Sequence, residues 1–174
     1  LNAQALGEGV PGVTNIADEK ARLMMELGDL LAGPLGEPHQ AIASYKDGLL
    51  IKPESPTILH KLLEVYTALS QWTEALDVLE TLIGNEKNEK RRARFRLTSA
   101  IIARDHVKDL RRALTLYHAS LDDDATLERA LEALEDLATE LDDPKELLKV
   151  YQRKIKALGP DAMDTPKQRA ERLR

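Results

Sequence analysis

A chain of 174 residues is long enough for one globular domain with a substantial core, or for about four or five stacked two-helix units. Its aromatic content of 3% and its Leu- and Ala-dominated apolar set disfavour strands and suit helices that pack through aliphatic ridges. The absence of cysteine excludes disulfides, thiolate metal sites and thiol nucleophiles, and leaves the compartment open between cytoplasmic and exported.

In chain order, residues 1–16, with Gly7, Gly9, Pro11 and Gly12, read as an irregular lead-in or the end of a preceding unit. Helices are predicted at 18–32, 38–51, 56–69, 72–84, 88–104, 107–121, 126–141 and 143–158, with a ninth beginning near 166. Their limits come from local chemistry. Pro56 behind Ser55, Pro144 behind Asp143 and Pro166 behind Thr165 each place a proline at a first helical position after a capping side chain. Gly84-Asn85 and Gly159-Pro160 supply helix stops. No apolar run approaches the roughly 20 residues of a membrane span, and the stretch from Leu1 lacks the basic start and apolar core of a signal peptide. Starting at Leu1 and stopping at Arg174, the chain reads as part of a longer protein.

The pattern repeats. Ala41, Tyr45 and Gly48, followed by Pro53, return as Ala75, Leu79 and Leu82, then as Ala113, Tyr117 and Ser120, and last as Leu147 and Tyr151, at steps of 34, 38 and 34 residues. A longer period of 72 residues superposes Ala21 on Ala93, Arg22 on Arg94, Tyr45 on Tyr117, Leu62 on Leu134, Thr67 on Thr139, Leu76 on Leu148 and Val78 on Val150. Such self-similarity marks an array of equivalent units; here it reads as a duplicated pair of hairpins. The first and third hairpins carry one extra residue between their helices.

These features resemble the tetratricopeptide repeat. Gly28, Ala41, Tyr45, Gly48 and Pro53 match its pattern in the first unit, Tyr66, Trp72 and Ala75 in the second, and Ala100, Ala113, Tyr117 and Ser120 in the third. The third unit has Ala125 where proline is usual, and the fourth has Leu147 and Glu135 where small residues are usual. The resemblance implies an all-α, right-handed superhelical solenoid of stacked antiparallel hairpins, with repeats at 17–55, 56–87, 88–125 and 126–160 and a further helix or repeat starting in 161–174. Small residues let paired helices approach, and Leu and Tyr fill the spaces between hairpins. Burial of each is worth roughly 1.5–3 kcal/mol, so one hairpin is unstable alone and the row is not. The expected core is Leu27, Leu31, Tyr45, Leu59, Leu62, Tyr66, Leu76, Leu79, Leu114, Tyr117, Leu131, Leu134, Leu148 and Tyr151.

The sequence offers no catalytic constellation. His39, His60, His106 and His118 are scattered, without zinc-ligand spacing. Gly7, Gly9 and Gly12 form no phosphate loop, and Ser44 and Ser99 lie in helices rather than at a nucleophile elbow. Asp122-Asp123-Asp124 lacks the glycine and closing glutamate of a calcium loop and reads as a turn rich in capping groups. No enzyme activity, cofactor or metal is expected.

Charge is the uneven feature. From Lys87 to Arg112 the basic residues outnumber the acidic ones, and from Asp122 to Glu146 the balance reverses. The bland account is solvated helix faces with ion pairs such as Glu86–Lys90; the sharper one is a bipolar groove that selects a partner of complementary charge. In the tetratricopeptide family the first helix of each hairpin lines the concave face. That resemblance implies a partner-binding groove of Arg22, Met25, Asp29, His60, Lys61, Glu64, Arg94, Leu97, Ile101, Arg104, Arg129, Glu132 and Asp136, with Met25, Leu97 and Ile101 as its apolar floor. Asp29, Glu64, Ile101 and Asp136 stand where one branch of the family grips chaperone-tail carboxylates with lysine and asparagine, so an acidic tail would be repelled. The expected function is a scaffold or adaptor holding a peptide or protein segment in the groove. The alternative is a structural spacer or end-to-end self-association module within a larger protein. A net charge of −5 and a basic block with Phe95 as its only aromatic disfavour nucleic acid.

Overall fold

The computed structural model describes residues 11–158; the predicted ninth helix and residues 1–10 lie outside that range. Eight α-helices follow one another: α1 (Pro11–Ala32), α2 (Pro38–Ile51), α3 (Pro56–Ala68), α4 (Trp72–Asn85), α5 (Glu89–Ile102), α6 (Leu110–Asp123), α7 (Glu128–Glu140) and α8 (Pro144–Leu158). A π-helical turn, Ala103–Val107, extends α5. Helix α1 begins at Pro11, so the irregular lead-in expected as far as residue 16 is helical from residue 11 onward; proline suits a first helical position, where its missing N–H removes no intrahelical bond.

The chain divides into two compact units, before and after the Asn85–Glu86 bond. In the first, α1 pairs with α2, α3 with α4, and α2 lies against α3; in the second, α5–α6 and α7–α8 repeat that arrangement, with α6 against α7. Alanines at 41, 75 and 113 are fully buried, where a larger side chain would force the paired helices apart. Tyr45, Leu62, Leu76 and Leu79 fill the first core, and Tyr117, Leu121, Leu134, Leu137 and Val150 the second.

The 72-residue period extends to the backbone. Glu37 N donates to Leu31 O at 2.7 Å, and Asp109 N to Ala103 O at 2.9 Å, bonds that span six residues and absorb the extra residue of hairpins one and three. The shorter turns use five-residue bonds, Gln71 N to Tyr66 O at 2.8 Å and Asp143 N to Ala138 O at 3.1 Å. Left-handed backbone recurs in the same register: Gly36 (φ 65°) matches Lys108 (φ 63°), and Ser70 (φ 57°) matches Asp142 (φ 50°). Side chains at φ near +60° are strained by roughly 1 kcal/mol. Lys108→Gly should therefore raise stability by about 0.5–1 kcal/mol, while Gly36→Ala should lower it by a similar amount; urea unfolding of the two variants checks both signs.

Local capping differs in part from expectation. Asp143 Oδ1 accepts from the Lys145 and Glu146 amides at 3.0 and 3.2 Å, as the Asp-Pro signal implied. Ser55 occupies the cap of α3 without a side-chain bond, so Pro56 alone marks that start. Asn88 and Asp109 cap α5 and α6 by accepting from the amides three residues on, each at 3.0 Å.

Three expected core residues are exposed instead: Leu27, Leu148 and Tyr151. Leu31 and Leu114 are half-buried. The heptad-like spacing was sound, but Leu27 lies on the side of α1 turned away from α2, and Leu148 and Tyr151 on a side of α8 that α7 does not cover. Periodicity alone does not say whether a neighbouring helix is present.

Candidate functional site

The first helices of the hairpins, α1 and α3 in the first unit and α5 and α7 in the second, carry the residues expected to meet a partner. In the first unit Asp29 is the junction. Its Oδ1 accepts from the Tyr45 hydroxyl at 2.7 Å and lies 3.3 Å from Lys61 Nζ on α3. Tyr45 thus spans the hairpin from α2 and ends among charged groups. Burial, the bond to Asp29 and the negative charge nearby together hold its hydroxyl well above the ordinary tyrosine range. Arg22 is clamped between Glu19 and Glu26 of its own helix; Met25 is half-buried, and His60 and Glu64 are exposed.

In the second unit the polarity at the matching tyrosine is reversed. Tyr117, 72 residues after Tyr45, has its hydroxyl beside the guanidinium of Arg104, which in turn donates to Glu140 of α7 at 3.0 Å. Burial raises the Tyr117 hydroxyl and Arg104 draws it back. The π-helical turn matters here, because Arg104 sits inside it: an insertion that widens the helix re-aims side chains locally, a common use of such turns. Arg94, Arg129, Glu132 and Asp136 are exposed on α5 and α7. Ile101 is half-buried against the core.

Two expectations are corrected. Leu97 is buried in the core of the second unit, so it is not part of an apolar groove floor; its place on α5 faces α6 rather than solvent. The basic block is also less available than its composition implied. Arg92 and Arg96 turn inward to Asp123, with Arg92 Nε at 2.9 Å from Oδ2 and an Arg96 nitrogen at 2.7 Å from the same oxygen, and Arg96 donates to the Ala119 carbonyl at 3.0 Å. Arg91 pairs with Glu86. The Asp122-Asp123-Asp124 run divides its work: Asp122 pairs with Arg153 on α8, Asp123 holds the two arginines, and Asp124 accepts from Thr126.

Sequence reasoning assigned Tyr45 and Tyr117 to the core and missed their polar ends, although a buried tyrosine hydroxyl requires a partner. It also missed Glu140, four residues beyond Asp136 on the same face of α7. A further depression, with a volume of about 420 Å³, lies beside α8 and is lined by His118, Lys149, Gln152, Arg153 and Lys156. His118 Nε2 lies 2.8 Å from Glu146; Lys149 and His118 together hold the Glu146 carboxyl below the usual range. No helix among the described residues is long and apolar enough to cross a membrane.

No protein-family model matches this chain, and no curated protein sequence matches it. Solved structures do. A crystal structure of MamA aligns over 86% of this chain and 79% of its own, at 16% identity and a TM-score of 0.59. MamA 41-end from Desulfovibrio magneticus RS-1 aligns over 83% and 78%, at 18% identity and a TM-score of 0.54. The first TPR of Spaghetti (RPAP3), bound to the HSP90 peptide SRMEEVD, aligns over 72% and 95%, at 17% identity and a TM-score of 0.52. At such identities the likeness is one of fold: an all-α, tetratricopeptide-like helical repeat.

Proposed function

We propose that this tetratricopeptide-like repeat is a protein-interaction scaffold, binding a peptide or protein segment on the exposed face of its first helices. The observation that carries the reading is the second unit, where Arg94 of α5 and Glu132 and Asp136 of α7 are all exposed on helices that flank one tyrosine-supported junction, Tyr117–Arg104–Glu140. Preset charges of both signs orient a partner and speed its arrival more than they add affinity. The chain offers no organised acid, base and nucleophile among these groups, so binding rather than catalysis is the reading they support.

The RPAP3 domain is bound to SRMEEVD; this chain is expected to refuse that peptide. Asp29 and Glu64 in the first unit and Asp136 in the second stand where cationic or amide groups would be needed, and like charge in a binding face selects against an acidic tail.

Selection of peptides from a random displayed library, followed by titration of synthetic copies, tests the proposal. Selected peptides should lose more than about tenfold in affinity for Arg94→Glu, and SRMEEVD should not bind. Arg94 is the clean site, since Arg104 also holds Glu140 and its reversal would disturb the fold; the double variant with Arg104→Glu should lose at least as much. Affinities unchanged by Arg94→Glu, or measurable SRMEEVD binding, would remove the model.

A further inference from the structure

The outward sides of α1 and α8 are both apolar. On α1, Ile16, Leu23, Leu27 and Leu30 lie on one stripe and are 47–71% exposed; on α8, Leu148, Tyr151, Ile155 and Leu158 do the same at 49–68%. A single exposed leucine means little, but a contiguous stripe of four marks a surface that another element covers.

The 72-residue period shows what such faces do elsewhere in the chain. Leu27 and Leu30 correspond to Ser99 and Ile102, and Leu148 and Tyr151 to Leu76 and Leu79. All four counterparts are buried. Thus α1 bears the face that is covered on α5, and α8 the face that is covered on α4.

Charge points to what covers them. Helix α8 carries Lys145, Lys149, Arg153, Lys154 and Lys156 against Glu146 alone, whereas α1 carries Asp18, Glu19, Glu26 and Asp29 against Lys20 and Arg22. The same asymmetry holds for the units: residues 1–85 have 12 acidic and 5 basic side chains, residues 86–174 have 18 and 20. By contrast, the segment following α8 holds Lys167, Arg169, Arg172 and Arg174, the wrong sign to seat beside the basic flank of α8. Residues 1–10 include two glycines and one charge, a poor helix to lay on α1.

We infer that α8 of one copy receives α1 of a second copy, apolar stripe on apolar stripe and basic flank beside acidic flank, so that the chain associates head to tail. Such a contact uses different surfaces on the two partners; it leaves one of each exposed in the dimer and therefore continues to larger assemblies. The inference goes beyond the peptide-binding reading and does not depend on it.

Analytical ultracentrifugation of the 174-residue chain, from about 1 µM to about 1 mM, tests it with two variants. The parent mass should climb with concentration past the dimer, and added salt should weaken the climb. Leu27→Glu and Ile155→Glu should each remain monomeric, with unchanged circular dichroism because both side chains are already exposed. Their equimolar mixture should form a dimer and stop there, since Leu27→Glu retains a good α8 and Ile155→Glu a good α1. A parent that stays monomeric, as it would if its own terminal segments covered the stripes, overturns the inference. So does a parent that closes at a dimer, or a mixture that stays monomeric. Arg94→Glu should leave the assembly intact, so loss of peptide binding and loss of association are read separately.

Discussion

Gly28→Ala should lower stability by about 2 kcal/mol and the thermal midpoint by roughly 8–10 °C, despite replacing a helix-interior glycine. In an open helix that exchange gains about 1 kcal/mol. Here a Cβ on residue 28 would lie 2.3–2.8 Å from three carbons of the Tyr45 ring, far inside contact distance. The ring has no easy retreat, because its hydroxyl is bonded to Asp29 at 2.7 Å and the side chain is buried. Overpacking costs roughly 1–3 kcal/mol, and displacement of the ring forfeits a hydrogen bond to a carboxylate worth about another 1.5–3 kcal/mol; together these outweigh the propensity gain. Ala100 shows the alternative solution. It occupies the matching place in the second unit with a Cβ of its own, where Ile101 replaces Asp29 and the tyrosine hydroxyl goes to Arg104 instead. Thermal melts of Gly28→Ala and of Gly28→Ala with Tyr45→Leu check the cause: the second change should recover part of the loss, since Leu79 serves at the same motif position in the second hairpin. A single variant as stable as the parent would show that the ring is not confined.

The second large effect is expected at Asp123. Its side chain is only 7% exposed and holds Arg92 and Arg96, each about a quarter exposed. Removing one member of a largely buried ionic cluster strands the others with neither partner nor full hydration. Asp123→Ala should lower the thermal midpoint by roughly 10 °C; Asp123→Asn, which keeps an acceptor oxygen, should lose less. The loss should persist in high salt, because a desolvated cluster is poorly screened. A melt unchanged by Asp123→Ala would mean that the two arginines are satisfied by water, and would return them to the pool of groups a partner could use.

That pool bears on how far the binding face could be read from the residues alone. Composition showed an excess of cations from Lys87 to Arg112, but not their direction. Arg92 and Arg96 point to Asp123, and Arg94 between them is exposed. A turn of about 100° per residue separates structural from available charge. Leu97 illustrates the same limit in reverse: placed on a groove floor by family register, it is a core residue.

What the sequence determined by itself is the repeat. The 34- and 38-residue steps, the small residues at 28, 41, 75, 100 and 113, and the proline, asparagine and aspartate signals are local chemistry, and local chemistry sets helix limits and hairpin order. The 72-residue period held down to the left-handed residues at the turns, because a turn's backbone is dictated by its length. The tertiary structure decided the rest: which end of Tyr45 is polar, that Glu140 meets Arg104, and that Leu27, Leu148 and Tyr151 are bare. Those outcomes depend on which helix lies opposite, a relation between residues distant in the chain that spacing along one helix does not carry.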